Sequence, residues 1–155
     1  MLKINQIVKM NTLLLNPFLS FDGCAETAFR FYQSILGGKL SIQRAADVLN
    51  VEQNKDEKKK MFFGALLLPN GQRITGADYL PSQGYMKPHN HKDNNKMTVF
   101  ANNLKELEHC FKKLSQEGVV KVPLQEMPCG GFKGEFIDCF GVYWRMNFLE
   151  ENQYR

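Results

Sequence analysis

The chain is expected to be an α+β protein in which two βαβββ modules pair to form cupped mixed sheets, and three observations lead there. The order strand, helix, strand, strand, strand occurs twice. Each copy holds one amphipathic helix between a polar start and a glycine stop, from Phe21 to Gly38 and again from Phe100 to Gly118. A single helix cannot cover the sheet that each unit would form, so two units sharing one core are the economical solution.

Taken in order, residues 1–11 read as an extension and 12–80 as the first module. Thr12–Phe21 is an apolar, β-prone run. Pro17 inside it has no N–H to give a ladder, which predicts an edge or bulged strand. Asp22 is expected to cap a helix over Cys24–Leu36, with Ala25, Ala28, Phe29, Tyr32, Ile35 and Leu36 on one stripe. Gly37-Gly38 ends that helix, since glycine accepts the left-handed cap conformation. Lys39–Val48 is expected to return as a strand and Leu49–Lys60 as a loop. Met61–Leu68 and Gln72–Leu80 follow as a hairpin around Asn70-Gly71.

Residues 81–95 are polar and read as a linker, 96–149 as the second module, and 150–155 as a tail. Lys96–Ala101 is a strand. Asn102 or Asn103 caps a helix over Asn103–Gln116, with Leu104, Leu107, Phe111 and Leu114 on its inner face. Gly118 ends it and Val119–Val122 is the next strand. Phe132–Ile137 and Val142–Phe148 form a closing hairpin about Asp138-Cys139-Phe140-Gly141, whose Asp and Gly have turn chemistry. In the last strand Val142, Trp144, Met146 and Phe148 point one way, and Tyr143, Arg145 and Asn147 the other. That alternation predicts a core behind the strand and a wet cavity before it.

Composition narrows the function classes. Hydrophobic residues make up 43% and charged residues 23%, the range of a folded globular domain. The net charge of +4 draws on Lys55, Lys58, Lys59 and Lys60, interrupted by Asp56 and Glu57, a pattern of a solvated loop. No basic face interleaved with aromatic residues is visible, so nucleic acid is not an expected partner. Four cysteines without paired spacing (Cys24, Cys110, Cys129, Cys139) read as free thiols in a reducing cytoplasm. No apolar run reaches the roughly 18 residues of a membrane span, and no membrane partner is expected.

Three stretches taken together, L-N-P-F-L-S-F-D-G, F-R-F-Y-Q-S-I-L-G-G-K-L and D-C-F-G-V-Y-W-R-M-N, resemble the PhnB-like branch of the vicinal oxygen chelate superfamily. That superfamily also holds glyoxalase I, extradiol dioxygenases and bleomycin-resistance proteins. The resemblance runs over Leu13–Phe148. It implies paired βαβββ modules, a homodimer, and a cavity in each cupped sheet, but no single reaction. Metal-dependent members place ligands on the first and last strand of each module. Those places fall here near Asn16 or Pro17, Asp78, Asn95 or Lys96, and Asn147. One carboxylate with amides and a lysine is a poor donor set for a divalent cation, so neither metal nor other cofactor is expected.

Phe18, Asp78, Trp144 and Asn147 are the candidate ligand-binding residues, pairing aromatic bulk with single polar groups. Asp78 and His91 are the candidates for acid–base work, and Asp78 has the alternative role of tying a strand end to a turn. His89, His91 and Asp93 form the one metal-like cluster, set in a polar linker with nothing to hold its geometry. Cys139 reads as a structural thiol. The function expected from this set is binding of a small molecule, of the resistance or sequestering type. The alternative is a lyase, isomerase or dioxygenase-type enzyme, metal-dependent or acid–base.

Overall fold

Both halves of the chain fold to the same topology in the computed structural model, which describes residues 14–49, 55–84, 87 and 96–149. The first half runs β1 (Phe18–Phe21), α1 (Ala25–Leu36), β2 (Lys39–Arg44), the short α2 (Ala45–Val48), β3 (Met61–Leu67) and β4 (Arg73–Asp78). A single 3-10 turn at Pro81–Gln83 follows. The second half runs β5 (Met97–Ala101), α3 (Leu104–Leu114), β6 (Val119–Glu126), β7 (Phe132–Ile137) and β8 (Tyr143–Phe148). Strand orders are β1-β4-β3-β2 and β5-β8-β7-β6. In each sheet the first strand lies parallel to the last, and the other pairings are antiparallel. The paired βαβββ reading therefore describes the molecule.

The helices form where the apolar stripes predict them. On α1, Ala25, Ala28, Phe29 and Tyr32 are buried, and on α3 Leu107 and Leu114. These side chains join Phe21, Leu66 and Ile74 of the first sheet and Phe136, Trp144 and Met146 of the second in one continuous core. Strand glycines let the helices approach closely. A Cβ on Gly76 would run into the Leu19 carbonyl and the Phe29 ring, and one on Gly134 into the Phe111 ring. Each helix thus lays a phenylalanine against a strand that has no side chain at that point.

Several boundaries differ from the sequence reading. β1 starts only at Phe18, because Pro17 offers no donor. Its carbonyl still accepts from the Thr75 N–H at 3.0 Å and the Thr75 hydroxyl at 2.7 Å. The strand expected over Lys39–Val48 stops at Arg44, where the β2–β3 register slips and α2 begins. Burial explains the change, since Ala45 packs with Leu80, Leu49 and Phe62 in a small second core. β6 continues past Val122 to Glu126, carrying Pro123 at the sheet edge where its register shifts. Asn103 is the cap of α3, its side chain accepting from the Lys105 and Glu106 N–H groups. Asp22 does not cap α1; that cap position belongs to Cys24, which makes no side-chain cap bond.

The closing turn is built on Asp138. Its Oδ1 accepts from the N–H groups of Phe140 and Val142, both at 2.9 Å, while Gly141 takes φ +86°. Oδ2 accepts from Trp144 Nε1 at 2.8 Å and from the Tyr32 hydroxyl of α1 at 2.7 Å. Burial, then the neighbouring Asp138 charge, pushes the Tyr32 phenol far above its usual range, so it stays a donor at any working pH. Replacing Asp138 with Ala strands two buried donors and frees the turn. We expect a loss of roughly 3–5 kcal/mol, against about 1.5–3 kcal/mol for Tyr32→Phe, read as urea unfolding midpoints at constant slope.

Candidate functional site

Strand alternation gives each sheet one face against the helices and one face away from them. In the first sheet Ile74, Gly76 and Asp78 of β4 lie on the helix side with Leu19 and Phe21 of β1, as pairing and burial show. Phe18, in register with Thr75, lies on the helix-free side and is 57% exposed. In the second sheet Trp144 and Met146 face the helices. Tyr143, Arg145 and Asn147 face away from them, in register with Ile137, Glu135 and Lys133 of β7.

The four candidate ligand residues therefore do not line one wall. Asp78 is buried and fully occupied as a scaffold. Its Oδ1 accepts from the Gly23 and Ala25 N–H groups at 2.8 and 3.0 Å, and its Oδ2 from the Met61 N–H at 2.8 Å. A carboxylate at the end of β4 thus does for α1 what Asp22 was expected to do, stabilising the positive end of the helix from a distance of many residues. Asp22 instead pairs with Lys87 at 2.9 Å. Trp144 is 1% exposed, with its ring against Tyr32 and Phe136. Phe18 and Asn147 are the two that reach helix-free faces. Asn147 is buried; its Nδ2 donates to the Val99 carbonyl at 3.3 Å and its Oδ1 accepts from Arg145 Nε at 3.5 Å. His89, His91 and Asp93 lie outside the described residues. At Cys139, partial desolvation and then the charge of Asp138 push the thiol up, which keeps it protonated and a poor nucleophile.

The densest chemistry on the helix-free face of the second sheet centres on Glu135, which the sequence reading passed over. Its side chain is 7% exposed. Oε2 accepts from Lys96 Nζ at 2.9 Å and the Tyr143 hydroxyl at 2.8 Å. Oε1 lies 3.2 Å from Lys133 Nζ and 3.8 Å from Arg145 Nε. Lys96 Nζ also sits 4.4 Å from the Tyr143 ring centroid, a cation–π geometry. The signal was present in the chain. Lys133 and Glu135 are two apart on a strand, and their hairpin partners on the same face are Asn147 and Arg145.

Burial by itself would raise the Glu135 pKa. The hydrogen bonds from Lys96, Tyr143 and Lys133 outweigh it and bring the carboxyl down to about 2. A depressed carboxyl favours folding above its unfolded pKa near 4.5 and loses that contribution as pH falls towards 2. The wild-type chain should therefore lose stability steeply between pH 4.5 and 2. Glu135→Gln should be less stable at pH 7 and flatter across that window, measured by urea midpoints at pH 7, 4.5 and 3.

A divalent metal at the superfamily's usual positions fits these residues poorly. Asn16 offers only a neutral amide and Pro17 no donor side chain, Asp78 faces the helices, Lys96 is held by Glu135, and the Asn147 amide oxygen accepts from Arg145. Among the described residues no three His, Cys, Asp or Glu side chains come together as a ligand set.

The family model described as the Glyoxalase/Bleomycin resistance protein/Dioxygenase superfamily matches residues 14–146. Protein PA1353 from Pseudomonas aeruginosa superposes with a TM-score of 0.76 at 26% identity, over 90% of this chain and 100% of that one. The PhnB protein from Bacillus cereus gives 0.68 at 26% identity, over 88% and 99%. A glyoxylase/bleomycin resistance protein/dioxygenase domain from Frankia sp. EAN1pec, at 15% identity, shares the fold with a TM-score of 0.62 over 92% and 95%. No curated protein matches the chain. With the family matched along most of its length and the same order of strands around one long helix in both halves, the chain belongs to the glyoxalase/bleomycin resistance protein/dioxygenase superfamily, with PhnB-like neighbours.

Proposed function

We propose that this chain is a small-molecule-binding protein of the PhnB-like type, acting as a homodimer without the superfamily's usual metal site. The observation that carries the reading is the division of labour in β8. Trp144 and Met146 secure the strand from behind, and Tyr143, Arg145 and the buried Asn147 carry hydrogen-bonding groups on a face that no helix of the described residues covers. A rigid strand backed by core is a good platform for placing a few polar groups. Phe18 and Asn147 keep ligand-facing roles in this reading, while Asp78 and Trp144 support the site from behind. The acid–base alternative has less to work with. Asp78 is committed to three backbone donors, and Glu135, with its low pKa, is a weak base at neutral pH.

Exposed apolar surface supports the homodimer reading. Phe18 and Phe63 lie on the helix-free face of the first sheet, 57% and 37% exposed, and aromatic groups grouped on one sheet face favour a partner. Light scattering at micromolar concentration should give twice the chain mass of 17.9 kDa. A mass near a single chain would count against the dimer.

Ligand binding is tested by thermal shift with a small-molecule library. A hit at 100 times its dissociation constant should add about 2.7 kcal/mol of stability. Asn147→Ala should weaken that hit, whereas Asp78→Ala should lower the unfolding midpoint and leave affinity per folded molecule unchanged. Equal affinity in the Asn147→Ala protein would remove Asn147 from the site, and a library without a single stabilising compound would sink the binding reading.

A further inference from the structure

We infer that the helix-free face of the second sheet takes a small organic anion, an aryl carboxylate or phosphonate in kind, seated on Lys133 and Arg145 beside Phe100. The inference rests on the binding reading above and adds the ligand's charge and the residues that meet it. Its basis is a mismatch of charge on one patch. Lys96, Lys133 and Arg145 all converge on the single carboxylate of Glu135, at 2.9, 3.2 and 3.8 Å. Three cations against one anion leave the patch with two positive charges in excess.

The cations are not equally engaged. Lys96 is committed, with a hydrogen bond to Glu135, the Tyr143 ring beneath it, and a side chain 26% exposed. Arg145 is the loosest, at 3.8 Å and 43% exposed, and only its Nε is used; among the described residues its terminal nitrogens make no hydrogen bond. Those two N–H-bearing nitrogens form the planar fork that suits a carboxylate or phosphonate in bidentate fashion. Lys133 stands in register with Asn147, and Asn147 in register with Phe100, which is 50% exposed. Across three neighbouring strands one row therefore carries the Lys133 ammonium, the buried Asn147 amide beneath it and an aromatic ring, with the guanidinium on the adjacent row. Strands in a sheet lie about 4.8 Å apart, so the row spans roughly 10 Å, the length of a substituted benzoate.

The role of Glu135 follows from the same geometry. Without it, three like charges would repel one another and splay into water. With it, Lys96 and Lys133 are held close, and the patch stays cationic because the carboxylate neutralises only one of them. Glu135 is a positioning residue, in contact with the cations rather than with the ligand.

The test uses the full chain, labelled with nitrogen-15, at low ionic strength. Three matched probe series are titrated: aryl carboxylates and phosphonates, the corresponding carboxamides, and the corresponding amines. The expected result is binding by the anions only, stronger for phosphonates. The Asn147 side-chain amide and Arg145 Nε–H signals should move, while the Trp144 indole N–H on the opposite face stays nearly still. Arg145→Gln should weaken the anions by about tenfold or more, and Lys133→Gln should weaken them too. Unchanged thermal midpoints in both variants would separate lost contacts from lost folding. If neutral or cationic probes bind as well as the anions, move Asn147 and ignore Arg145→Gln, the anion proposal is overturned and the binding reading stands. If no series binds while the library screen yields a stabilising compound, the anion proposal is overturned and the binding reading stands; if neither gives a hit, both are overturned. If Lys133→Glu instead converts a dimer to single chains, the patch is a subunit interface and the proposal fails.

Discussion

One carboxylate, that of Asp138, closes the β7–β8 turn with Oδ1 and with Oδ2 holds both Trp144 on the adjoining strand and Tyr32 on the helix of the other module. The rest of the structure depends on this junction because, among the described residues, the Tyr32–Asp138 hydrogen bond joins the two modules inside a largely apolar core. Hydrophobic contact brings the modules together without fixing their angle, since apolar packing is non-directional. The bond from Tyr32 to the buried carboxylate, 4% exposed, adds a directional constraint. It is also sensitive to change, as a donor left unpaired in the core costs more than a bond contributes. The aromatic rings of Tyr32, Phe31 and Phe140 pack around the junction and keep water from competing for it.

Asp78 does for the first module what Asp138 does for the pair. It binds the N–H groups at the start of α1 and the start of β3, so one side chain at the end of β4 pins a helix and a strand to the sheet. Both acids are engaged on the helix side, and the polar groups of β8 lie on the opposite face. This separation is what a sheet produces when one face is dry, because every second residue is removed from solvent whatever its chemistry.

The cluster around Glu135 has a different character from these two junctions. Asp78 and Asp138 are satisfied by neutral donors, whereas Glu135 is surrounded by cations that are themselves partly exposed. A scaffold carboxylate needs no excess of charge around it. A patch that keeps one is poised to meet an opposite charge from outside, and its interactions should weaken with salt as screening shortens their range.

The sequence by itself determined the module order, the two long helices, both expected hairpins and the two faces of β8, because each rests on local rules: helical stripes, the Asn-Gly and Asp-x-x-Gly turns, and strict alternation. It also placed Phe132–Ile137 as a strand to the residue. Tertiary structure decided what the polar residues do. Asp22 sits where a cap should be, yet Asp78, more than fifty residues away, binds the helix start. Trp144 and Asn147, grouped as candidates for one pocket, lie on opposite faces, as the alternation of the strand already implied. Glu135 gave no motif, since its partners come from β5, β7 and β8 and meet only through strand register. Local propensity is written in neighbouring residues, whereas a carboxylate's partners depend on which strands the fold sets side by side.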